Sequence, residues 1–379
     1  MKKNIMIVDD SALMRRVMCD IITSDSSFEV KDVSRDGQEA YEKIVANKYD
    51  AIVLDVNMPR MGGLELLKKL HKEKIDVVVI MASTLTSEGS KETIEALELG
   101  AVDFVTKPGN VIEARGEDFS TSLLNVLRAV LKTPSQRLST QAVVGTTTRR
   151  TETASRSEVT TRRTSPMSAP TTRINEKLPE HSTVRNGNKL VALACSTGGP
   201  KSLQSVIPML PKEMDAPVVI VQHMPPGFTK SLADRLNELS KVTVAEAQDG
   251  DVLQNGHVYI APGGKHLTVV KRNGGGHMIK LDDSPPVGTL KPCADIMYRS
   301  LTTCGYDEIC CVVLTGMGAD GAQGILDLRK RKPVFTISQS AETCVVYGMP
   351  KAVAEAGLSN KVVPLEQVAS TIIMNVGVQ

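Results

Sequence analysis

The chain has 379 residues, which is long enough for two domains that each bury a core of their own. The formal net charge is +2, and residues 134–187 account for it, because nine Lys/Arg against four Asp/Glu give that segment +5 and leave −3 elsewhere. A nucleic-acid partner is therefore not indicated. Seven cysteines without a CxxC pair argue against a disulfide framework or a structural metal, and no apolar run approaches the ~18–20 residues of a membrane span. We expect a cytoplasmic protein without a signal peptide or membrane insertion.

The first 131 residues alternate apolar runs with helical patterns. The runs that predict strands are residues 4–8, 51–54, 77–82 and 101–106. Helical spacing is seen in the segments between them, such as 63–72 and 90–99. This alternation predicts a domain over residues 1–131 that is built on a doubly wound parallel sheet.

Reactive side chains follow the ends of these runs. Asp9 and Asp10 follow the first run, Asp55 the second, Ser83 the third and Lys107 the last. Three carboxylates that converge on one crevice would repel one another unless a cation lies among them, and oxygen ligands favour Mg²⁺. A lysine and a hydroxyl nearby would hold the remaining phosphoryl oxygens. The pattern therefore predicts phosphoryl transfer to one aspartate.

The ordered motifs VDD, LDVNMPRMGG, MAS and VDFVTKP resemble the response-regulator receiver domain, which has a flavodoxin-like fold. The resemblance implies that a histidine kinase phosphorylates Asp55. It implies that Mg²⁺ is held by three carboxylates, those of Asp9, Asp10 and Asp55. It also implies that the phosphate is sensed by Ser83, Lys107 and Phe104, the last at the family's aromatic switch position. Gly62 departs from the family pattern, without an expected chemical consequence.

Residues 132–187 lose all periodicity. Within 134–187 there are twelve threonines, many serines and no aromatic residue, so this segment cannot bury enough apolar surface to order itself. We interpret 132–187 as a flexible Thr/Ser/Arg-rich linker. Strand–helix alternation resumes after it, which predicts a second doubly wound, Rossmann-like domain over residues 188–379.

Three apolar runs of this second domain each end on a reactive side chain. Residues 189–195 lead into Ser196, residues 218–222 lead into His223, and residues 310–315 lead into a glycine-rich turn that holds Asp320. Open α/β sheets bind ligands at the carboxyl ends of their strands, so the three ends can converge on one crevice. A serine, a histidine and an aspartate together suit a nucleophile, a base and an orienting group. The pattern predicts a serine hydrolase that needs no cofactor.

Each of these residues also has a simpler structural interpretation. Ser196 precedes Pro200, which suits the first turn of a helix, so the serine is equally well explained as a helix cap. His257 and His266 are rival candidates for the base, and His223 is favoured because it lies at a strand end. The poorer candidates lie in a helix, in the linker and in a Gly-rich turn: His71, His181 and His277.

Two local alternatives concern the same motifs. Residues 316–321 spell GxGxxG, but a dinucleotide site requires an acidic residue after the next predicted strand, 333–337, where Ser338 stands. Cys195 is an alternative nucleophile beside Ser196. Neighbouring side chains of a strand point to opposite faces, so we do not expect both in the crevice and favour the serine.

The motifs CSTGGP, VQHMPPGFT, YIAPGGKH and LTGMGADGAQG, behind a receiver-like domain, resemble the chemotaxis protein-glutamate methylesterase/glutamine deamidase family. The departures are Ala194 and Cys195, where relatives usually have Gly and Ala, and a longer linker. The resemblance implies a cytoplasmic enzyme that acts on methylated glutamates of chemoreceptors, with Ser196, His223 and Asp320 in catalysis. The oxyanion and substrate contacts would come from Thr197, Gly198, Gly199 and Met317.

The resemblance also implies that the unphosphorylated receiver covers the catalytic crevice and that phosphorylation weakens this docking. Two other classes of function stay open. One is a phospho-dependent interaction module with a serine hydrolase domain that acts on another substrate or has lost activity. The other is a response regulator that acts on DNA. The sequence argues against this class, because it has neither a helix-turn-helix-like C-terminus nor a basic folded face.

Overall fold

The structure, a computed structural model, describes residues 2–108, 117–132 and 187–378. It contains one parallel sheet of five strands before the predicted linker and one of seven strands after it. The predicted fold class, two doubly wound α/β domains, is confirmed. The linker predicted over 132–187 lies outside the described residues except for its two end residues, so the domain boundaries stay a prediction.

The N-terminal sheet has the strand order β2-β1-β3-β4-β5. Its strands, β1 to β5, are Lys3–Val8, Phe28–Ser34, Ala51–Asp55, Val78–Ser83 and Asp103–Thr106. The helices α1 to α5 are Ala12–Ser24, Gly37–Ala46, Gly63–Lys72, Ser87–Glu98 and Glu117–Leu131. This is the flavodoxin-like order, whose direction reverses between β1 and β3, so a crevice opens at their carboxyl ends.

The burial of each strand explains whether an apolar run in the sequence marks it. All five residues of β3 are buried, as expected for a central parallel strand, and the run is continuously apolar. The edge strand β2 is buried only at its two end residues, alternates exposed with half-buried residues between them, and includes Glu29, Lys31 and Asp32, so no apolar run marks it. Helix α3 begins and ends where the sequence predicts.

The C-terminal sheet has the strand order β14-β13-β12-β6-β7-β9-β8, with parallel pairs throughout. Strands β6 to β9 are Lys189–Cys195, Val218–Gln222, Thr243–Glu246 and His257–Ile260. Strands β12 to β14 are Glu308–Val313, Val334–Gln339 and Lys361–Val363. A separate antiparallel hairpin consists of β10, His266–Lys271, and β11, His277–Asp282.

Six α-helices flank this second sheet within the described residues. Helices α6 to α11 are Gly199–Val206, Phe228–Leu239, Ala294–Ser300, Ala322–Arg329, Met349–Glu355 and Leu365–Val376. Short 3₁₀ turns are formed by Ile207–Met209, Leu301–Thr303 and Ala341–Thr343.

Strand β6 is the point at which the order of the second sheet reverses, because β7 pairs on one side and β12 on the other. Strands β6 and β7 have the predicted bounds, whereas β12 ends two residues earlier than predicted. The reason is that the Thr315 N–H donates to the Gln339 side chain at 2.8 Å instead of continuing the strand ladder. Three carboxyl ends thus meet at the switch point, where α/β sheets bind ligands.

A buried ion pair anchors the opposite end of this sheet. The Lys189 ammonium lies 3.0 Å from a Glu308 carboxylate oxygen, and both side chains are at most 5% exposed. Asn375 completes the cluster, since its backbone oxygen accepts from Lys189 at 2.6 Å and its amide donates to Glu308 at 2.9 Å.

We expect Glu308→Ala to lower the free energy of unfolding of the C-terminal domain by about 3–5 kcal/mol, because it leaves a buried ammonium without its counter-charge. Urea unfolding would measure the loss. Asp234→Ala, which breaks the exposed Lys230–Asp234 pair, is the control and should cost less than about 1 kcal/mol. Equal losses in the two variants would contradict the prediction.

Candidate active site and phosphorylation site

The carboxyl ends of β1 and β3 bring three aspartates together. Carboxylate oxygens of Asp9, Asp10 and Asp55 all lie within 4.8 Å of one another. The Lys107 ammonium, just beyond β5, lies 2.8 Å from Asp9 Oδ2 and 2.8 Å from Asp55 Oδ2. The structure therefore places these four predicted residues in one cluster.

The charge balance of this cluster favours a divalent cation. Burial raises the pKa of Asp55, Lys107 lowers it, and the neighbouring carboxylates of Asp9 and Asp10 raise it again, with a resulting pKa of about 6. Three carboxylates face one ammonium, so negative charge is in excess. An all-oxygen set with one exposed member, Asp10, suits Mg²⁺, which keeps several waters.

The other two predicted phosphate-sensing residues contact different partners in this conformation. Ser83 is fully buried at the end of β4, and its hydroxyl donates to the Gly89 carbonyl of α4 at 3.1 Å. The Phe104 ring is stacked on the Phe228 ring of the second domain, with 4.5 Å between the centroids. The phosphate-sensing roles of Ser83 and Phe104 therefore stay a prediction.

In the second domain, the structure pairs His223 with Asp320. His223 Nε2 lies 2.8 Å from Asp320 Oδ2, and the two side chains are 10% and 5% exposed. Burial by itself raises the pKa of Asp320, but the hydrogen bond and charge of His223 and the backbone N–H groups of Ala294 and Asp295 lower it further, to about 2. Asp320 is therefore ionised and fixes the Nε2–H tautomer, which leaves Nδ1 of His223 as the basic nitrogen.

Ser196 and His223 line the same cavity, which has a volume of about 190 Å³ and also contacts Thr197. The Gln222 amide holds both positions, because its Nε2 donates to the Ser196 and His223 carbonyls at 3.1 Å each. Cys195 is not among the residues that line this cavity, and its thiol donates to Gln222 Oε1 at 3.0 Å. Burial raises the pKa of the Cys195 thiol, so it is neither placed nor ionised to act as a nucleophile.

The backbone after Ser196 narrows the choice of oxyanion donors. The Gly199 N–H donates to the Ser196 carbonyl at 2.7 Å, so in this conformation it is not free for a substrate oxygen. Gly198 has φ 75°, and a Cβ there would lie 2.7 Å from Val345. Of the predicted oxyanion residues, Thr197, Gly198 and Met317 have N–H groups without a backbone acceptor in the described structure.

The rival histidines have structural partners. His257 Nδ1 lies 3.1 Å from the Asn255 carbonyl and His266 Nε2 lies 3.2 Å from the Pro285 carbonyl. His277 accepts from the Gly305 N–H at 2.7 Å. In the part of the chain that the structure describes, His223 is the histidine whose ring bonds a carboxylate. His71 lies in α3, and His181 lies outside the described residues.

Residues of the receiver side complete the cavity around Ser196. Those that line it are Asp103, Phe104, Val105, Thr106, Ser122 and Val126. Further contacts join α4 to α7: Arg235 holds the Glu98 carboxylate with two nitrogens at 2.5 and 3.0 Å, and the Ser90 and Ser231 hydroxyls are 2.9 Å apart. The first domain therefore covers the crevice of the second.

Sequence reasoning missed the residues that hold Asp320. They lie at the start of α8, about 25 residues earlier in the chain: Cys293, Ala294 and Asp295. Gln222 was also missed. The only sequence signal for Gln222 is that a polar amide ends an otherwise apolar run.

Fold and site together define a two-domain protein in which a receiver-type phosphorylation domain covers an α/β domain that carries a serine and a His–Asp pair at its strand ends. The response regulator receiver domain model matches residues 5–115, and the CheB methylesterase model matches residues 191–372. The chain belongs to the family of protein-glutamate methylesterase/protein-glutamine glutaminase proteins.

The similarity to relatives extends over nearly the whole chain. A protein-glutamate methylesterase/protein-glutamine glutaminase of Bacillus subtilis is 41% identical over 97% of both chains. One from Pyrococcus abyssi is 39% identical over 98% of this chain and 93% of its own. The crystal structure of the Thermotoga maritima CheB methylesterase catalytic domain is 43% identical and covers 49% of this chain and 98% of its own, with a TM-score of 0.47. Within the described residues, no helix is long and apolar enough to cross a membrane.

The low pKa of Asp320 should make the free energy of unfolding depend on pH in the acid range. Its folded-state value of about 2 lies below the ordinary 3.8, so its stabilising contribution is complete above about pH 4 and is lost as pH falls through about 2. We expect the difference in unfolding free energy between wild type and Asp320→Asn to shrink by about 2 kcal/mol between pH 5 and pH 2. Denaturant unfolding at several pH values would measure it, and a constant difference would contradict the pKa of about 2.

Proposed function

We propose that this protein is a phosphorylation-activated hydrolase that removes methyl esters from glutamate side chains of chemoreceptors and deamidates glutamines to glutamate in chemotactic adaptation. The observation that carries the proposal is the His223–Asp320 pair, which shares one crevice with Ser196 beneath a receiver domain. The names of the relatives support the two activities. The cytoplasmic location expected from the cysteine content stays a prediction.

The hydrogen bond between His223 and Asp320 supports one course for the first steps. Neutral His223 donates Nε2–H to Asp320, so its Nδ1 accepts the Ser196 proton as the serine oxygen attacks the ester carbonyl. Asp320 then stabilises the imidazolium that forms. The N–H groups of Thr197, Gly198 and Met317 would be donors to the oxyanion. That of Gly199 would first have to leave the Ser196 carbonyl.

The later steps reuse the same groups. The His223 imidazolium returns its proton to the departing methoxide, which leaves as methanol and gives a glutamyl ester of Ser196. Water attacks this ester while His223 again takes a proton, and free glutamate and serine result. With a glutamine substrate, the leaving group takes the proton and departs as ammonia.

The receiver residues support phosphorylation at Asp55. Asp9, Asp10 and Asp55 would hold Mg²⁺, and the Lys107 ammonium, 2.8 Å from Asp55 Oδ2, is close enough to contact a phosphoryl group on Asp55. The bound metal would supply positive charge to the phosphoryl oxygens. A chemotaxis histidine kinase is the phosphodonor that this domain type implies.

The contacts between the domains support regulation in which the unphosphorylated receiver blocks the catalytic crevice. Asp103 of the receiver is 8% exposed and lines the crevice beside Ser196 and Thr197. Burial raises the pKa of Asp103 to about 6, although the Phe104 N–H and the Thr197 hydroxyl lower it by hydrogen bonding. A substrate side chain therefore competes with the receiver for this crevice, and phosphorylation would have to weaken the docking.

The direct test is methanol release from methylated chemoreceptor membranes, with and without a phosphodonor and Mg²⁺. We expect phosphodonor to raise the rate of the wild-type chain. Ser196→Ala should lower the rate by at least about 10³-fold, because the nucleophile is lost.

The control is Ser205→Ala, which removes an exposed hydroxyl of α6 that bonds only within its own helix in the described structure. Wild-type release that does not need Ser196 would contradict the assigned nucleophile. No release in either state would leave the receiver assignment intact and make the second domain a hydrolase of another substrate or an interaction module.

The ion pair at the interface allows a second prediction. Arg235→Glu places a carboxylate opposite Glu98, so we expect the basal activity of the unphosphorylated chain to rise roughly five-fold, which corresponds to about 1 kcal/mol of lost docking. Adding Glu98→Arg should restore part of the inhibition, and only part because Glu238 also contacts position 235. An unchanged basal rate in Arg235→Glu would show that the Arg235–Glu98 ion pair does not contribute to docking of the receiver on the catalytic domain.

A further inference from the structure

Asp320 lies on a loop that cannot by itself hold a carboxylate in place. The loop between β12 and α9 contains Gly316, Gly318 and Gly321, and the last two have φ of 83° and 96°. Glycines of this kind leave a loop conformationally free. A base that must be oriented within a fraction of an ångström needs Asp320 to be fixed from outside this loop.

The start of helix α8 supplies that fixation. The Ala294 N–H donates to Asp320 Oδ2 at 2.6 Å and the Asp295 N–H donates to Asp320 Oδ1 at 3.0 Å. The Cys293 thiol contacts Oδ1 at 3.2 Å. Together with His223, these donors occupy both oxygens of the carboxylate.

The side chain of Asp295 makes the reciprocal contact. Its Oδ1 accepts from the Gly321 N–H at 2.9 Å and from the Gly324 N–H at 2.7 Å. It therefore caps helix α9, whose own N-cap residue Gly321 has no side chain to do so. A Cβ on Gly324 would lie 2.8 Å from Asp295 Cα, so the two helix starts are in direct contact.

We propose that Asp295 is a positioning residue for the His–Asp pair, which it serves by tying the Asp320 loop to helix α8. Each of the two aspartates caps the helix that begins next to the other, so neither carboxylate can move without releasing hydrogen bonds at both helix starts. Arg299 offsets the charge of Asp295, with 3.5 Å between guanidinium and carboxylate. The inference rests on the proposed function of Ser196, His223 and Asp320.

The test compares Asp295→Ala with Asp295→Asn in the full-length protein. We expect Asp295→Ala to lower kcat for methanol release by about 10- to 100-fold with little change in KM, since it moves Asp320 and not the substrate contacts. The acid limb of the pH–rate profile should move to lower pH, because a displaced Asp320 stabilises the imidazolium less well. Asp295→Asn keeps an acceptor oxygen and should stay within about three-fold of wild type.

A matched control removes the other partner of Arg299. Asp327 bonds Arg299 at 2.9 Å but makes no contact with the Asp320 loop in the described structure, so Asp327→Ala should leave both kcat and the pH profile unchanged. In an Asp320→Asn background, Asp295→Ala should add less than about two-fold, because its effect acts through Asp320. Equal losses in both backgrounds, or no loss in wild type, would overturn the proposal.

A spectroscopic measurement separates this inference from the proposed activity. The Nε2 proton of His223, assigned by its loss in His223→Gln, should resonate far downfield in wild type and in Asp327→Ala. It should move upfield or disappear in Asp295→Ala while the protein remains folded by circular dichroism. This outcome would support Asp295 even if no methanol were released, and an unmoved resonance in Asp295→Ala would count against it.

Discussion

Both candidate sites depend on one constraint, which is that a parallel strand buried on both faces can carry a reactive polar group only where it ends. Asp55 closes β3, and Ser196 and His223 directly follow β6 and β7. Residues far apart in sequence meet because neighbouring strands end at the same edge of a sheet. The two domains meet through α4, which contacts α7, and through β5, which lines the crevice of the second domain. As an edge strand, it has one side without a neighbouring strand and can lie against the crevice of the second domain.

The two sites shift the pKa of a buried carboxylate in opposite directions. Burial raises the pKa of Asp55 more than Lys107 lowers it, and the carboxylates of Asp9 and Asp10 raise it further, so the value is about 6. Burial would do the same to Asp320, but an imidazole and backbone N–H groups at a helix start bring its pKa to about 2. The first environment leaves negative charge for a cation to balance, and a phosphoryl group would add to that charge. The second satisfies a permanent anion, as an orienting group requires.

The sequence predicts much of this fold because buried parallel strands are continuous apolar runs, and the bounds of β6 and β7 follow from them. It locates β12 less well, since the bond from Thr315 to a distant glutamine ends that strand. The strand-end rule also points to Ser196, His223 and Asp320. The structure pairs His223 with Asp320 and places Ser196 along the same cavity as His223, and their catalytic roles stay a prediction. It does not find Asp295, because a contact across about 25 residues between two helix starts has no local pattern. The stacking of Phe104 on Phe228 is equally invisible, since it depends on how two domains dock.

The contacts of the receiver link phosphorylation to docking through shared residues. Ser83 bonds Gly89 at the start of α4, and Phe104 packs on Phe228 of α7, so two of the three predicted phosphate-sensing residues contact other partners while the crevice is covered. Helix α4 also holds Glu98 against Arg235. If phosphorylation of Asp55 draws Phe104 away from Phe228, the covered and open states differ in contact energy. Such coupling is reciprocal: if phosphorylation loosens the cover, the docked catalytic domain must to the same extent disfavour the phosphorylated receiver. Any substrate that displaces the receiver from the crevice would then favour phosphorylation of Asp55.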